Sequence, residues 1–242
     1  MTPIMRLLIL LASPLIGCAV LWGAESSRPV PANAAAGNAL RTYKPPVRGA
    51  PKRRVDAGTR GGQESGMALY VLAPDHVGWT VREQPALFWY VSRPVGIKLE
   101  FTLIDNLQAA PLVEAPLAQD SSSPLQRIDL ARFNARLALN VDYQWSVAAV
   151  PDAVNRSKDI VASGAIRRVA ASPELAKQLS STGTNAWHVY AENGIWYEAL
   201  SVLSDSITAN SDDQTLRRHR AALLREVELP DAAQSDEQFK KH

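Results

Sequence analysis

Four histidines, one cysteine and a scatter of aspartates are the residues through which this 242-residue chain could do chemistry. Their spacing argues against most reactions. His76, His188, His219 and His242 stand apart, none at a metal-ligand separation from another. Cys18 is the sole thiol, which rules out an intrachain disulfide and any multi-cysteine zinc or iron–sulfur centre. There is no Gly-x-Ser-x-Gly and no His-Glu-x-x-His. Asp75-His76, beside a strand, would act as an acid–base pair only if a serine approached it. The carboxylates of Asp142, Asp152 and Asp159 match no calcium-loop spacing. Gly58-Thr59-Arg60-Gly61-Gly62 lacks the lysine and helix of a phosphate loop and reads as a tight turn. No catalytic, cofactor or metal residue is assigned, and a non-enzymatic protein without cofactor is expected.

The elements that would position any site begin with an export signal. Arg6 is the only charge before Glu25, and Leu7–Ala24 is an apolar run broken by Pro14. Within it, Leu15-Ile16-Gly17-Cys18 resembles a bacterial lipobox, which implies lipidation of Cys18. Ordinary cleavage after Ala24 and an uncleaved anchor, for which 18 residues just suffice, stay open. All three export the remainder, giving a protein in the periplasm or anchored to the membrane and facing it. The leader is placed at 1–24.

Residues 25–66 carry eight Lys/Arg against three acidic residues, five prolines and no apolar periodicity. They read as a disordered basic linker unable to bury enough surface to order itself. With no aromatic ladder accompanying the charges, nucleic acid is not expected as a partner.

From residue 67 the texture is that of strands. Ala86–Ser92 is apolar on both faces, and Gly96–Ile104 alternates with Ile97, Leu99, Phe101 and Leu103 together. Further strands are expected at 67–73, 78–83, 107–117, 125–130, 141–150 and 159–169. This spacing predicts an antiparallel, immunoglobulin-like β-sandwich over 67–170. Leu137 six residues before Tyr143, which opens an alternating strand with Trp145, is similar to a tyrosine corner. Tyr143 and Trp145 are therefore assigned structural roles, although Trp89, Tyr90 and Trp145 could also form an aromatic ligand platform.

Helical periodicity then takes over, and a small helical module is expected over 171–229. Ser172-Pro173-Glu174 starts one helix, with others at about 184–193, 195–208 and from Ser211 to Val227. The fold class is α+β, and 230–242 is read as a disordered tail. Tyr190–Leu200 resembles the centre of a tetratricopeptide repeat, with Gly194 in the turn, Trp196 two on and Ala199 where two helices touch. A lone repeat cannot bury its own face, so the hairpin must pack on the sandwich, the following helix or a partner, and the resemblance puts Trp196 at a structural position, packing inward. An exposed role as a partner anchor is the alternative.

Gly58–Gly62, Ala86–Val91, Tyr143–Ser146 and Tyr190–Leu200, in this order, resemble an exported bacterial family of the cyanobacterial type, domain of unknown function 928, over about residues 50–227. In that family cysteines follow the glycine-rich turn and the Trp-Ser strand; here Gln63-Glu64-Ser65 and Ala148-Ala149-Val150 stand there. The resemblance implies a location and an architecture but no reaction. The functional expectation is a cell-envelope adaptor or scaffold that binds another envelope protein near a membrane, with no small-molecule substrate identified. A ligand-binding or enzymatic domain, its site assembled across the sandwich, is the alternative.

Overall fold

The computed structural model describes residues 42–46 and 67–239, apart from 93–95, 106–107, 109, 121–122 and 184–185. The leader at 1–24, Cys18 and His242 lie outside the described residues. Those described fall in one compact unit, Leu40–His242.

Among the described residues the fold is α+β: eight strands in two sheets, then five α-helices. The strands are β1 (Leu69–Val71), β2 (Gly78–Thr80), β3 (Ala86–Val91), β4 (Lys98–Asp105), β5 (Pro111–Leu117), β6 (Leu125–Asp129), β7 (Asp142–Val150) and β8 (Ile160–Arg168). One sheet runs β1-β3-β6 and the other β2-β8-β7-β4-β5. This is the immunoglobulin-like arrangement, with one departure from an all-antiparallel expectation: β2 pairs with β8 in parallel, Gly78 beside Ile166.

Alternation explains the core. Leu99, Phe101 and Leu103 of β4 and Trp145 and Val147 of β7 are buried, while the intervening residues are partly exposed. All six residues of β3 are buried, because the helices cover the sheet face opposite the sandwich interior. The crossover into β7 is locked as its leucine–tyrosine spacing suggests: the Tyr143 hydroxyl accepts the Ala138 N–H at 3.0 Å. Gly164 is needed for a close approach, since a Cβ there would meet that of Ala73 at 2.8 Å.

The helices are α1 (Pro173–Ser180), α2 (Ala186–Glu192), α3 (Trp196–Ala209), α4 (Gln214–Glu226) and α5 (Pro230–Gln238). The Ser172 hydroxyl caps α1 by accepting from Leu175, and Asp213 caps α4 by accepting from Thr215 and Leu216. Helix α5 replaces the disordered tail expected after Pro230. Proline is tolerated in its first turn, Ala232 and Ala233 are fully buried, and Asp236 is 1% exposed. Its composition is polar, so a partner for Asp236 on α4, and not periodicity, orders it.

Three consecutive residues at the start of α3 fasten the helices to the sandwich. Trp196 donates its indole N–H to the Leu72 carbonyl at 2.9 Å. The Tyr197 hydroxyl accepts from the Trp145 indole at 2.9 Å and donates to the Ala165 carbonyl at 3.1 Å. Glu198 accepts from the Thr80 hydroxyl at 2.6 Å and the Val81 N–H at 3.2 Å. Ala199, fully buried, follows them.

Burial pushes the Glu198 carboxyl pKa up, against the lowering effect of the Thr80 and Val81 hydrogen bonds. The native state therefore holds this proton to higher pH than the unfolded chain does. The sign follows: the Glu198 contribution is fully present below the ordinary value of 4.5 and is lost as pH rises through the raised native value. Stability measured by urea unfolding is expected to fall over that window, by up to about 1.4 kcal/mol per pH unit. Glu198→Gln should flatten this component of the profile. An unchanged profile in the variant would show that other groups carry the slope.

Candidate peptide groove at the helical hairpin

Of the residues expected to matter, Gly194 and Trp196 stand at one turn, whereas Tyr143 lies at the corner of the sandwich. Gly194, between α2 and α3, has φ +74°, and a Cβ there would lie 2.8 Å from the Lys44 carbonyl oxygen and 3.0 Å from Pro46 Cδ. The glycine thus serves both the turn and a segment lying across it. That segment is Thr42–Pro46, placed by composition in the linker. Here it is part of the folded body: Tyr43 is 4% exposed, and the Lys44 N–H donates to the Ala191 carbonyl at 3.0 Å.

Glu226, at the end of α4, takes two successive backbone donors, the Thr42 N–H at 3.0 Å and the Tyr43 N–H at 2.6 Å. A carboxylate that accepts adjacent amides substitutes for a neighbouring strand, and it explains how five residues without periodicity become ordered. The Tyr43 ring stands edge-on to Trp196 at 5.1 Å between centroids and stacks on His76 at 5.8 Å. Lys44 reaches Glu192 at 3.3 Å on the exposed side, where the pair contributes little. A cavity of about 150 Å³ remains beside Pro45, Asp75, His76 and Glu226.

Asp75, His76 and Tyr43 form a relay. Asp75 lies 3.0 Å from His76 Nδ1, and His76 Nε2 lies 2.9 Å from the Tyr43 hydroxyl. The order is that of an acid, a base and a hydroxyl nucleophile. Yet burial, aided by the charges of Tyr197 and Asp75, drives the phenol far above its ordinary pKa. The raised pKa favours the neutral phenol, which suits a relay that holds the side chain in place.

The remaining candidates are dispersed. His188 pairs with Glu192, and His219 stacks on Trp187. Asp142 pairs with Arg167; Asp159 with Arg156; Asp152 caps a turn through the Val154 and Asn155 N–H groups. Trp145 is fully buried, and neither Trp89 nor Tyr90 is exposed, so these three rings offer no ligand platform. Among the described residues no three His, Cys, Asp or Glu side chains converge as metal ligands, and no helix is long and apolar enough to cross a membrane. Tyr43 and Glu226 were not legible as site residues. The only signal was an aromatic beside Pro45-Pro46 in an otherwise small and basic stretch.

Gly194→Val is expected to cost about 1–3 kcal/mol through backbone strain. It should also loosen Thr42–Pro46, because the branched side chain would occupy the Lys44 carbonyl position. Faster amide hydrogen exchange at Thr42 and Tyr43 would report the loosening, and wild-type exchange there would refute it.

No curated protein matches the chain. A family model does, over residues 55–237, which span the sandwich and nearly all of the helical module and begin after the segment held in the groove. The chain belongs to the Domain of Unknown Function (DUF928) family.

Proposed function

We propose that the protein is a non-enzymatic adaptor of the bacterial cell envelope that captures an extended peptide carrying a tyrosine. The observation supporting this reading is the way the family-matched body holds Thr42–Pro46, a segment outside the matched region: through backbone amides on Glu226, a tyrosine slot between Trp196 and His76, and a glycine that makes room for the chain. Backbone capture plus one side-chain slot is a general mode of peptide recognition. In this reading the protein's own segment is the resident occupant and a partner's peptide of the same chemistry competes for its place. Because the resident is intramolecular, its effective concentration is on the order of millimolar, and a free peptide should bind measurably only when the groove is emptied.

The experiment is fluorescence anisotropy with a labelled peptide of residues 40–47. Full-length Tyr43→Ala is expected to bind it, wild type to bind at least about tenfold more weakly, and Tyr43→Ala/Glu226→Gln to lose the gain. A peptide that ignores the emptied groove overturns the proposal. A location in the periplasm, or anchored facing it, is supported by the apolar N-terminus and the Leu15–Cys18 lipobox resemblance. An intact mass of the mature chain carrying acyl groups on Cys18 supports the lipid-anchored form.

A further inference from the structure

A second concavity lies where the outer face of the β1-β3-β6 sheet meets α3 and α4, and it shares no lining residue with the groove at Tyr43. Its volume is about 250 Å³, room for about eight water-sized groups. Phe88 and Leu125 from the sheet, Ile207 from α3 and Phe239 after α5 supply apolar wall. Three arginines line it as well: Arg127 from β6, Arg217 and Arg220 from α4.

The two arginines of α4 are 5% and 7% exposed and share one carboxylate, Asp236. Arg220 takes it bidentately, at 2.7 and 2.6 Å, and donates a third hydrogen bond to the Ser204 hydroxyl at 2.9 Å. Arg217 is left with two long contacts, 3.3 Å to Asp236 and 3.4 Å to the Ser211 carbonyl. Its buried Nε–H has no acceptor among the described residues. A guanidinium offers five donors and seeks planar, bidentate acceptors, so Arg217 is a buried cation short of oxygen partners beside an open volume. The Phe239 ring, also in the cleft wall, lies 5.0 Å from its guanidinium carbon. Other carboxylates constrain the ligand: Asp120 also lines the cleft, and Asp129 and Asp205 already hold Arg127. The site therefore suits a single small oxyanion placed deep against Arg217, and not a polyanion.

We infer that this cleft is a binding site for a small organic anion, a carboxylate or phosphate monoester with an apolar body, whose oxygens complete the Arg217 coordination while its body lies between Phe88, Ile207 and Phe239. The two head groups share one chemistry, and separate probes distinguish them.

The test uses the full chain with benzoate, phenyl phosphate and the uncharged analogue benzamide, followed by calorimetric titration. Saturable binding of benzoate or phenyl phosphate is expected, with whichever is tighter identifying the head group, and benzamide at least about tenfold weaker. Arg217→Gln should weaken the anion at least about tenfold. Thr208→Trp provides a second arm if Arg217→Gln fails to fold: Thr208 is exposed and lines the cleft, so the indole fills the volume without removing charge. Binding of neither anion at about 10 mM, equal binding of benzamide, or wild-type affinity in Thr208→Trp overturns the inference.

Discussion

Trp196→Ala is expected to be among the most destabilising single substitutions in the chain, at about 3–5 kcal/mol by urea or thermal unfolding. Two losses add. The indole is fully buried, so its removal leaves a large cavity between the helices, Tyr43 and the sandwich. Its N–H is the donor to the Leu72 carbonyl, which is left without that partner in a dry environment. Trp196→Phe separates the two: it keeps much of the apolar volume and loses the donor, and should cost about 1–3 kcal/mol. Against a total stability of about 5–15 kcal/mol, the alanine variant should be partly unfolded at 37 °C. The same change should raise amide exchange in Thr42–Pro46, since the edge-on contact with Tyr43 goes with it. A cost below about 1 kcal/mol, the size of an ordinary surface effect, would mean that α3 is not docked on the sandwich as described.

Asp236→Ala should cost a similar amount, about 3–5 kcal/mol, by a different mechanism. Asp236 is the carboxylate shared by Arg217 and Arg220, and all three side chains are nine-tenths buried or more. Removing it leaves two cations in a low-dielectric region whose hydrogen-bond partners among the described residues are the Ser204 hydroxyl and the Ser211 carbonyl. The cost measures stranded charge and not the net worth of the ion pairs. Replacing all three residues by apolar ones of similar volume, Arg217→Met, Arg220→Met and Asp236→Leu together, should recover most of the loss. A triple variant as unstable as Asp236→Ala alone would show that the network contributes more than its desolvation costs. Because α5 is ordered by this network, Asp236→Ala should also increase protease cutting after Arg225.

The two substitutions bracket what was legible in the sequence. Strand positions, the tyrosine corner at Tyr143, the capped start at Ser172-Pro173 and the helical hairpin around Gly194 all follow from local patterns: period two, period 3.6, a cap and a turn. These patterns record which face of an element is dry, and eight strands in their expected order are enough to dictate an α+β chain with a sandwich. The breadth of β3 was also visible, since residues apolar on both faces demand cover on both.

Local pattern could not say what provides that cover, or which polar residues would find one another across the fold. Arg217 and Arg220 lie on a helix that reads as basic and solvated, and Asp236 lies in a stretch that reads as a tail. Only tertiary contact neutralises one with the other and orders α5. Tyr43 lies in a proline-rich stretch whose composition argues against burial, and it becomes buried because Glu226, 183 residues away, satisfies its amide and Trp196 and His76 flank its ring. A side chain's periodicity is a property of its neighbours in sequence. The energy of a buried charge or a captured amide depends on partners that only the folded chain assembles.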